Sequence, residues 1–190
     1  MIQSLLRKLA PQPRRSPADV ALMARAAELL AAPTGPLGLA PEEADVVVRY
    51  MHPARFSKGT TFIREGDAGT TGFLLLVVEG EVVVESIVVS RRTPVTLRVL
   101  GPGTMHGDVG LIDGLPRSAS CTADTSLEGA ILTRDALHRM MQRHPRVCCK
   151  LLAAIATGMG ARLRDSTATL KRYVQLTRSM QQEIDRLLPT

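Results

Sequence analysis

"GDVGLIDGLPRSASC", residues 107–121, carries one carboxylate in its first turn, Asp108, and one arginine, Arg117, nine positions apart. Between them stand glycines, a proline and a short apolar run, and after the arginine come Ser118, Ala119 and Ser120. The stretch reads as a tight loop ending on a guanidinium. A planar guanidinium flanked by small side chains suits a close-fitting anion, because nothing bulky keeps a phosphate from the backbone N–H groups. The bland alternative is a structural salt bridge between Arg117 and Asp108.

Outward from this loop, residues 55–133 hold short runs rich in Val, Ile, Leu and Thr separated by Gly-bearing turns: "TTFIREGDAG", "FLLLVVEGEVVVESIVVS", "TPVTLRVLGPG" and "SLEGAILT". Strands at that spacing predict a β-sandwich, jelly roll or barrel. Residues 17–50 read as helical. Ser16 is the expected N-cap with Pro17 at the first helical position. "PTGPLG" at 33–38 breaks the pattern, and "APEEADVVVRYM" is a second helix with acids in its first turn.

From Thr133 onward the pattern is helical again. "TRDALHRMMQRHP" reads as a short helix ended by Pro145, followed by a long helix from about Arg146 to Leu188. One heptad register of the long helix gives the seam Cys149, Leu152, Ala156, Met159, Leu163, Ser166, Leu170, Tyr173, Thr177, Met180, Ile184, Leu187. Gly158 and Gly160 weaken it by about 1 kcal/mol each relative to Ala. A lone helix cannot hide such a stripe. Its first half is expected to cover the β region and its second half to pair with a second copy.

The totals narrow the class. A chain of 190 residues, 45% hydrophobic, supports one full domain plus an appendage. It has no Trp and only five aromatic residues, which argues against stacking platforms for single-stranded nucleic acid. Cys121, Cys148 and Cys149 lack metal-ligand spacing and read as reduced core thiols. The basic start "MIQSLLRKLAPQPRR" has no apolar run suited to a signal sequence, and no stretch approaches the roughly 20 apolar residues of a membrane helix. A soluble, cytoplasmic protein is expected. The net charge of +6 comes entirely from residues 135–190, where ten Lys or Arg face four acids. That face would attract an acidic partner or a nucleic-acid backbone, or simply be solvated.

At this point the chain resembles the cyclic nucleotide-binding domain of the catabolite activator and protein kinase regulatory subunit type, over residues 50–165. "FSKGTTFIREGDAG" looks like that family's opening strands, "EGEVVVE" like the strand after its acidic turn, and "GDVGLIDGLPRSAS" is similar to its phosphate-binding cassette. The resemblance implies an α+β fold: an eight-stranded β jelly roll with N-terminal helices and a long C-terminal helix. The expected divisions are a helical segment at 1–49, the β-roll at 50–145 and a coiled-coil-like helix at 146–190.

It also implies roles. Arg117 would grip the exocyclic oxygens of a cyclic phosphate, Ser118 would add a hydroxyl, and the N–H of Ser118 or Ala119 would complete the cradle. Asp108 would accept from the ribose 2′-OH, with Gly107 letting the sugar approach and Val109 beside it. Ser166 and Thr167 on the long helix would read the base once one extra helical turn is allowed in the alignment; without that turn Arg162 and Leu163 fall there. The family usually has Glu where Asp108 stands, which sets the carboxylate back by about 1.5 Å. About two extra residues in "FLLLVVEG" suggest a longer strand or a bulge.

The expectation is a stand-alone, noncatalytic receptor for cAMP, or less readily cGMP, with no cofactor. It would act by ligand-linked movement of the C-terminal helix as a homodimer, with an unidentified protein partner. The segment after Arg164 continues one heptad pattern, so no winged helix and no specific DNA binding are expected. A ligand-free oligomerisation or docking scaffold of the same fold is the alternative. More remote is a jelly-roll oxygenase in which His106 and Asp108, with His138 or His144, imitate an iron-binding triad.

Overall fold

The Ser16 hydroxyl accepts from the N–H of Asp19 while the Asp19 carboxylate accepts from the N–H of Ser16. This reciprocal cap, with Pro17 behind it, starts α1 (Pro17–Ala31) where the sequence places it. The structure, a computed structural model, describes residues 15–32, 39–69, 72–87 and 94–187. The N-terminal stretch 1–14, the break at 33–38 and Leu188 at the expected end of the long helix lie outside them. In α2 (Pro41–Arg49) the Glu43 carboxylate accepts from the N–H of Ala40, and Glu42 and Glu43 supply the acids of the first turn.

Among the described residues the strands form two antiparallel four-stranded sheets. One has β1 (His52–Phe56), β8 (Leu127–Thr133), β3 (Phe73–Glu79) and β6 (Met105–His106) in that spatial order. The other has β2 (Thr61–Ile63), β7 (Ser120–Ala123), β4 (Val82–Ile87) and β5 (Pro94–Leu100). This is the α+β jelly roll of eight strands that the sequence implies.

Phe56, Phe62, Phe73, Leu75, Val77, Val82, Cys121 and Leu127 meet in the core, with the rings of Phe56 and Phe62 stacked at 5.0 Å. The run "FLLLVVE" of β3 is apolar up to its last residue because both its faces are covered. Phe73, Leu75 and Val77 belong to that core, whereas α1 packs on β3 and β8, and Leu74, Leu76 and Val78 are buried as well. The register between β3 and β8 shifts between Val77 and Glu79, a bulge where the sequence suggested extra residues. At its rim α1 is tied down by charge: Arg25 pairs with Glu79 and Glu128, and Arg55 with Asp19 and Glu128. The Arg55 hydrogen bond holds the Asp19 carboxyl below its usual range.

Between β6 and β7 the expected tight loop is instead a short helix, α3 (Asp108–Asp113), set between two glycines in the left-handed region, Gly107 at φ 83° and Gly114 at φ 75°. After β8 come α4 (Arg134–Arg143), capped by the Thr133 hydroxyl, and α5 (Pro145–Leu187).

The chain divides into two compact units, Met1–Ala154 and Ile155–Thr190. Within the first, α5 buries Cys148, Leu151 and Ala154. These lie off the predicted seam: Cys149 and Ala156 are exposed and Leu152 is half-buried. At the start of α5 the buried stripe is therefore displaced by one residue from the predicted seam. Of the three thiols, Cys121 and Cys148 are core groups, but Cys149 is exposed. In the second unit Leu163, Leu170, Tyr173, Val174, Leu176, Met180, Ile184 and Leu187 are all exposed.

Candidate functional site

Arg117, only 4% exposed, lies in the interior just before β7. Its Nη1 donates to the Gly107 carbonyl at 2.8 Å and its Nη2 to the Phe73 carbonyl at 3.0 Å. The guanidinium carbon stands 4.6 Å from the centre of the Phe73 ring, so a cation–π contact supports the same placement. Backbone bonds fix the residue as well. The Arg117 N–H donates to Asp67 O at 3.1 Å, and the Arg117 carbonyl accepts from Gly66 N–H at 2.8 Å.

Burial lowers the pKa of the guanidinium, while the negative charges of Asp67 and Asp108 raise it. The Cys121 thiol, on the neighbouring strand, is pushed up to about 12 by burial. It is a packing group there, not a nucleophile.

Gly107 is required on two counts. Its φ of 83° disfavours any side chain, and a Cβ there would stand 2.6 Å from Arg117 Nη1 and 2.8 Å from the Phe73 carbonyl. The Gly107 carbonyl also accepts from the Leu111 N–H, which closes the first turn of α3. Asp108 opens that helix and is 5% exposed. Arg117 and Asp108, nine residues apart in the chain, are thus both drawn inward at the same loop. Val109 and Ser118 are exposed, and Ala119 is half-buried.

Residues 53–144 match the family model described as cyclic nucleotide-binding domain. These residues belong to the cyclic nucleotide-binding domain family. The cyclic AMP receptor protein of Thermus thermophilus is 33% identical over 133 residues, covering 70% of this chain and 58% of that protein. The cAMP-dependent protein kinase regulatory subunit of Yarrowia lipolytica is 38% identical over 83 residues, covering 44% of this chain and 20% of that one. A crystal structure of a cyclic nucleotide-binding domain from Methylobacillus flagellatus superposes with a TM-score of 0.70 at 28% identity, covering 80% of this chain and 84% of that one. The chain spans about half the length of the first curated relatives it matches.

Within the cyclic nucleotide-binding domain the structure adds a residue that sequence reading passed over. Arg134, the first residue of α4, donates from Nε to Leu111 O at 3.0 Å and from Nη2 to Gly110 O at 2.8 Å. It thereby binds carbonyls of the cassette helix α3. A signal was available: a cation in the first turn of a helix opposes that helix's own dipole, so its charge has employment elsewhere.

Ser166 and Thr167 lie in the second unit and are exposed. The Thr167 hydroxyl donates to the Leu163 carbonyl of its own helix at 2.9 Å.

The triad built on His106 and Asp108 does not assemble. His106 is buried with Nε2 3.1 Å from the Thr104 hydroxyl, while His138 and His144 are exposed, the latter edge-on to Tyr50 at 5.9 Å. Among the described residues no three His, Cys, Asp or Glu side chains are grouped to hold a metal ion. No described helix is long and apolar enough to cross a membrane. From Pro145 onward the described residues form one helix, so no helix-turn-helix lies among them.

Proposed function

We propose that the domain is a receptor for a cyclic mononucleotide, cAMP in preference to cGMP, and that the chain is a noncatalytic signalling module of the cytoplasm. The observation that carries this reading is the buried pair in the cassette, Arg117 at 4% exposure and Asp108 at 5%. A buried guanidinium is costly unless its fork meets charge or good acceptors. A cyclic phosphate offers two exocyclic oxygens, which can replace the Gly107 and Phe73 carbonyls on Nη1 and Nη2. The Ser118 hydroxyl and the N–H of Ser118 or Ala119 complete the phosphate cradle. Asp108 takes the ribose 2′-OH beside Gly107 and Val109. Ser166 and Thr167 are assigned to the base.

The output is a population shift. Ligand that draws Arg117 off its carbonyls favours one position of the cassette and of the helices that follow it over another. The exposed seam from Leu163 to Leu187 supports pairing with a second copy. A protein partner for the altered surface completes the proposal.

A second reading, a ligand-free scaffold, is favoured by one specific observation: the fork is already satisfied in part by the chain's own carbonyls. Thermal denaturation with a panel of cyclic mononucleotides and cyclic dinucleotides separates the two. At 100 times its Kd a ligand adds about 2.7 kcal/mol of stability. A clear rise in Tm with cAMP or cGMP is expected. No rise with any member of the panel leaves the scaffold.

A further inference from the structure

Two arginines hold the cassette helix at its two ends, and their bonds close a ring. Arg117 Nη1 binds the Gly107 carbonyl at the start of α3, and Arg134 binds the Gly110 and Leu111 carbonyls later in the same helix. The ring returns through β3. The Arg134 backbone N–H donates to Gly72 O at 2.7 Å, and the next carbonyl in the chain, that of Phe73, accepts from Arg117 Nη2. Gly114 leaves room for the second arginine: a Cβ there would stand 2.7 Å from Arg134 Nη1, at a φ of 75° that already excludes most side chains.

We propose that Arg134 is the coupling residue of the domain, a positioning group that makes α4 follow the cassette helix when the anion site is filled. The proposal rests on the receptor reading above and adds the route of its output. An anion that takes over the Arg117 fork removes two links of the ring, those to Gly107 and Phe73. The links made by the Arg134 side chain survive, because the ligand does not compete for Gly110 or Leu111. The cassette helix is then released from β3 on its Arg117 side while still fastened to the first residue of α4. Displacement of α3 is passed to α4 through two hydrogen bonds from a charged fork, which are stronger than neutral ones. Since Pro145 follows His144 directly, α4 delivers that displacement to the start of α5. Lys at position 134 would keep the charge but lacks the planar pair of donors that spans two successive carbonyls.

The test is hydrogen exchange on the full chain with and without cAMP, for the native protein, Arg134→Ala and Arg134→Lys, after isothermal titration has shown cAMP binding. In the native protein cAMP is expected to change exchange rates in both 107–120 and 134–150, by about fivefold or more, the scale of ordinary coupling between sites. In both variants the response in 107–120 should remain, and that in 134–150 should fall below about twofold. An undiminished response of 134–150 in the variants overturns the coupling role, as does a native protein that binds cAMP with no response there. Loss of cAMP binding in both variants would also overturn it, by making Arg134 part of the binding site. If Arg134→Ala does not fold, Arg134→Lys alone decides. A native protein that binds no cyclic nucleotide refutes the receptor reading itself, an outcome visible before any variant is made.

Discussion

In residues 107–121 the charged side chains Asp108 and Arg117 are buried, while Val109, Ile112 and Leu115 are exposed. In residues 163–187 apolar side chains are exposed too, but beside exposed Arg and Lys, with no charge drawn inward. The first arrangement inverts the usual sorting of side chains, and the inversion is fixed by specific bonds to carbonyls. The second is a helix whose apolar and charged side chains are both exposed. Exposed apolar groups therefore mean different things in the two regions. On the long helix they form an apolar stripe, the face proposed to pair with a second copy. On the cassette they are the reverse side of a helix whose chemistry faces inward.

Arg117→Ala removes the buried guanidinium outright. Truncating one member of a buried charge pair costs about 2–5 kcal/mol, so cAMP affinity should fall by roughly 30-fold to several thousand-fold. Titration calorimetry reads it, with thermal denaturation confirming that the variant is folded. Arg117→Lys should recover little, because an ammonium cannot span two oxygens as the fork does. Unchanged affinity in Arg117→Ala would mean that the buried guanidinium serves packing alone.

The seam is tested by Leu170→Asp combined with Met180→Asp. Each side chain lost from an apolar interface removes about 1.5–3 kcal/mol of burial. The pair should convert a dimer to a monomer at micromolar concentration, read by chromatography with light scattering. The cassette should still fold, since both substitutions lie in the second unit. A native chain that is itself monomeric would dissolve the contrast, because the stripe would then have no partner among copies of this chain.

Much of the fold was legible because local chemistry and global pattern agree. Ser16 and Pro17 start a helix, "FLLLVVE" makes a strand, and "TRDALHRMMQRHP" holds a short helix. The register of the long helix was legible only in part. A seam and its neighbour differ by one residue, and periodicity alone does not say which stripe meets the domain and which is left exposed. Cys148 and Leu151 took the place expected of Cys149 and Leu152. Within the site, Arg117 and Asp108 stood out through the glycines, proline and small residues around them. That α3 is a helix was hidden, because a six-residue helix between glycines has the composition of a loop. Arg134 gave only the indirect signal of a cation in the first turn of its helix. Its partners are backbone carbonyls 23 and 24 residues away, and backbone atoms leave no signature in a sequence.

Gly107→Ala disturbs the same loop through its backbone and shows up in stability. The left-handed backbone and two approaches under 3 Å, to Arg117 Nη1 and to Phe73 O, should together cost about 1–3 kcal/mol. Urea denaturation would show this as a lower midpoint with an unchanged slope. The fitting control is Thr169→Ala, at an exposed position of the long helix, which should stay within about 0.5 kcal/mol of the native protein.

The smallest expected effect, and the most informative about the inverted region, is Asp108→Glu. The carboxylate of Asp108 is buried, it is one methylene shorter than the glutamate that the family resemblance leads one to expect, and the proposed role gives it the ribose 2′-OH. If that shortening leaves the 2′-OH bond long or bridged by water, the extra methylene should make the bond direct and raise cAMP affinity by about 1 kcal/mol, roughly fivefold. The gain should vanish for 2′-deoxy-cAMP, which has no hydroxyl to offer. A gain that persists with the deoxy ligand would trace to repacking around α3, and a loss with both ligands would mean that this cassette is built to the shorter side chain and that its sugar contact differs from the family's.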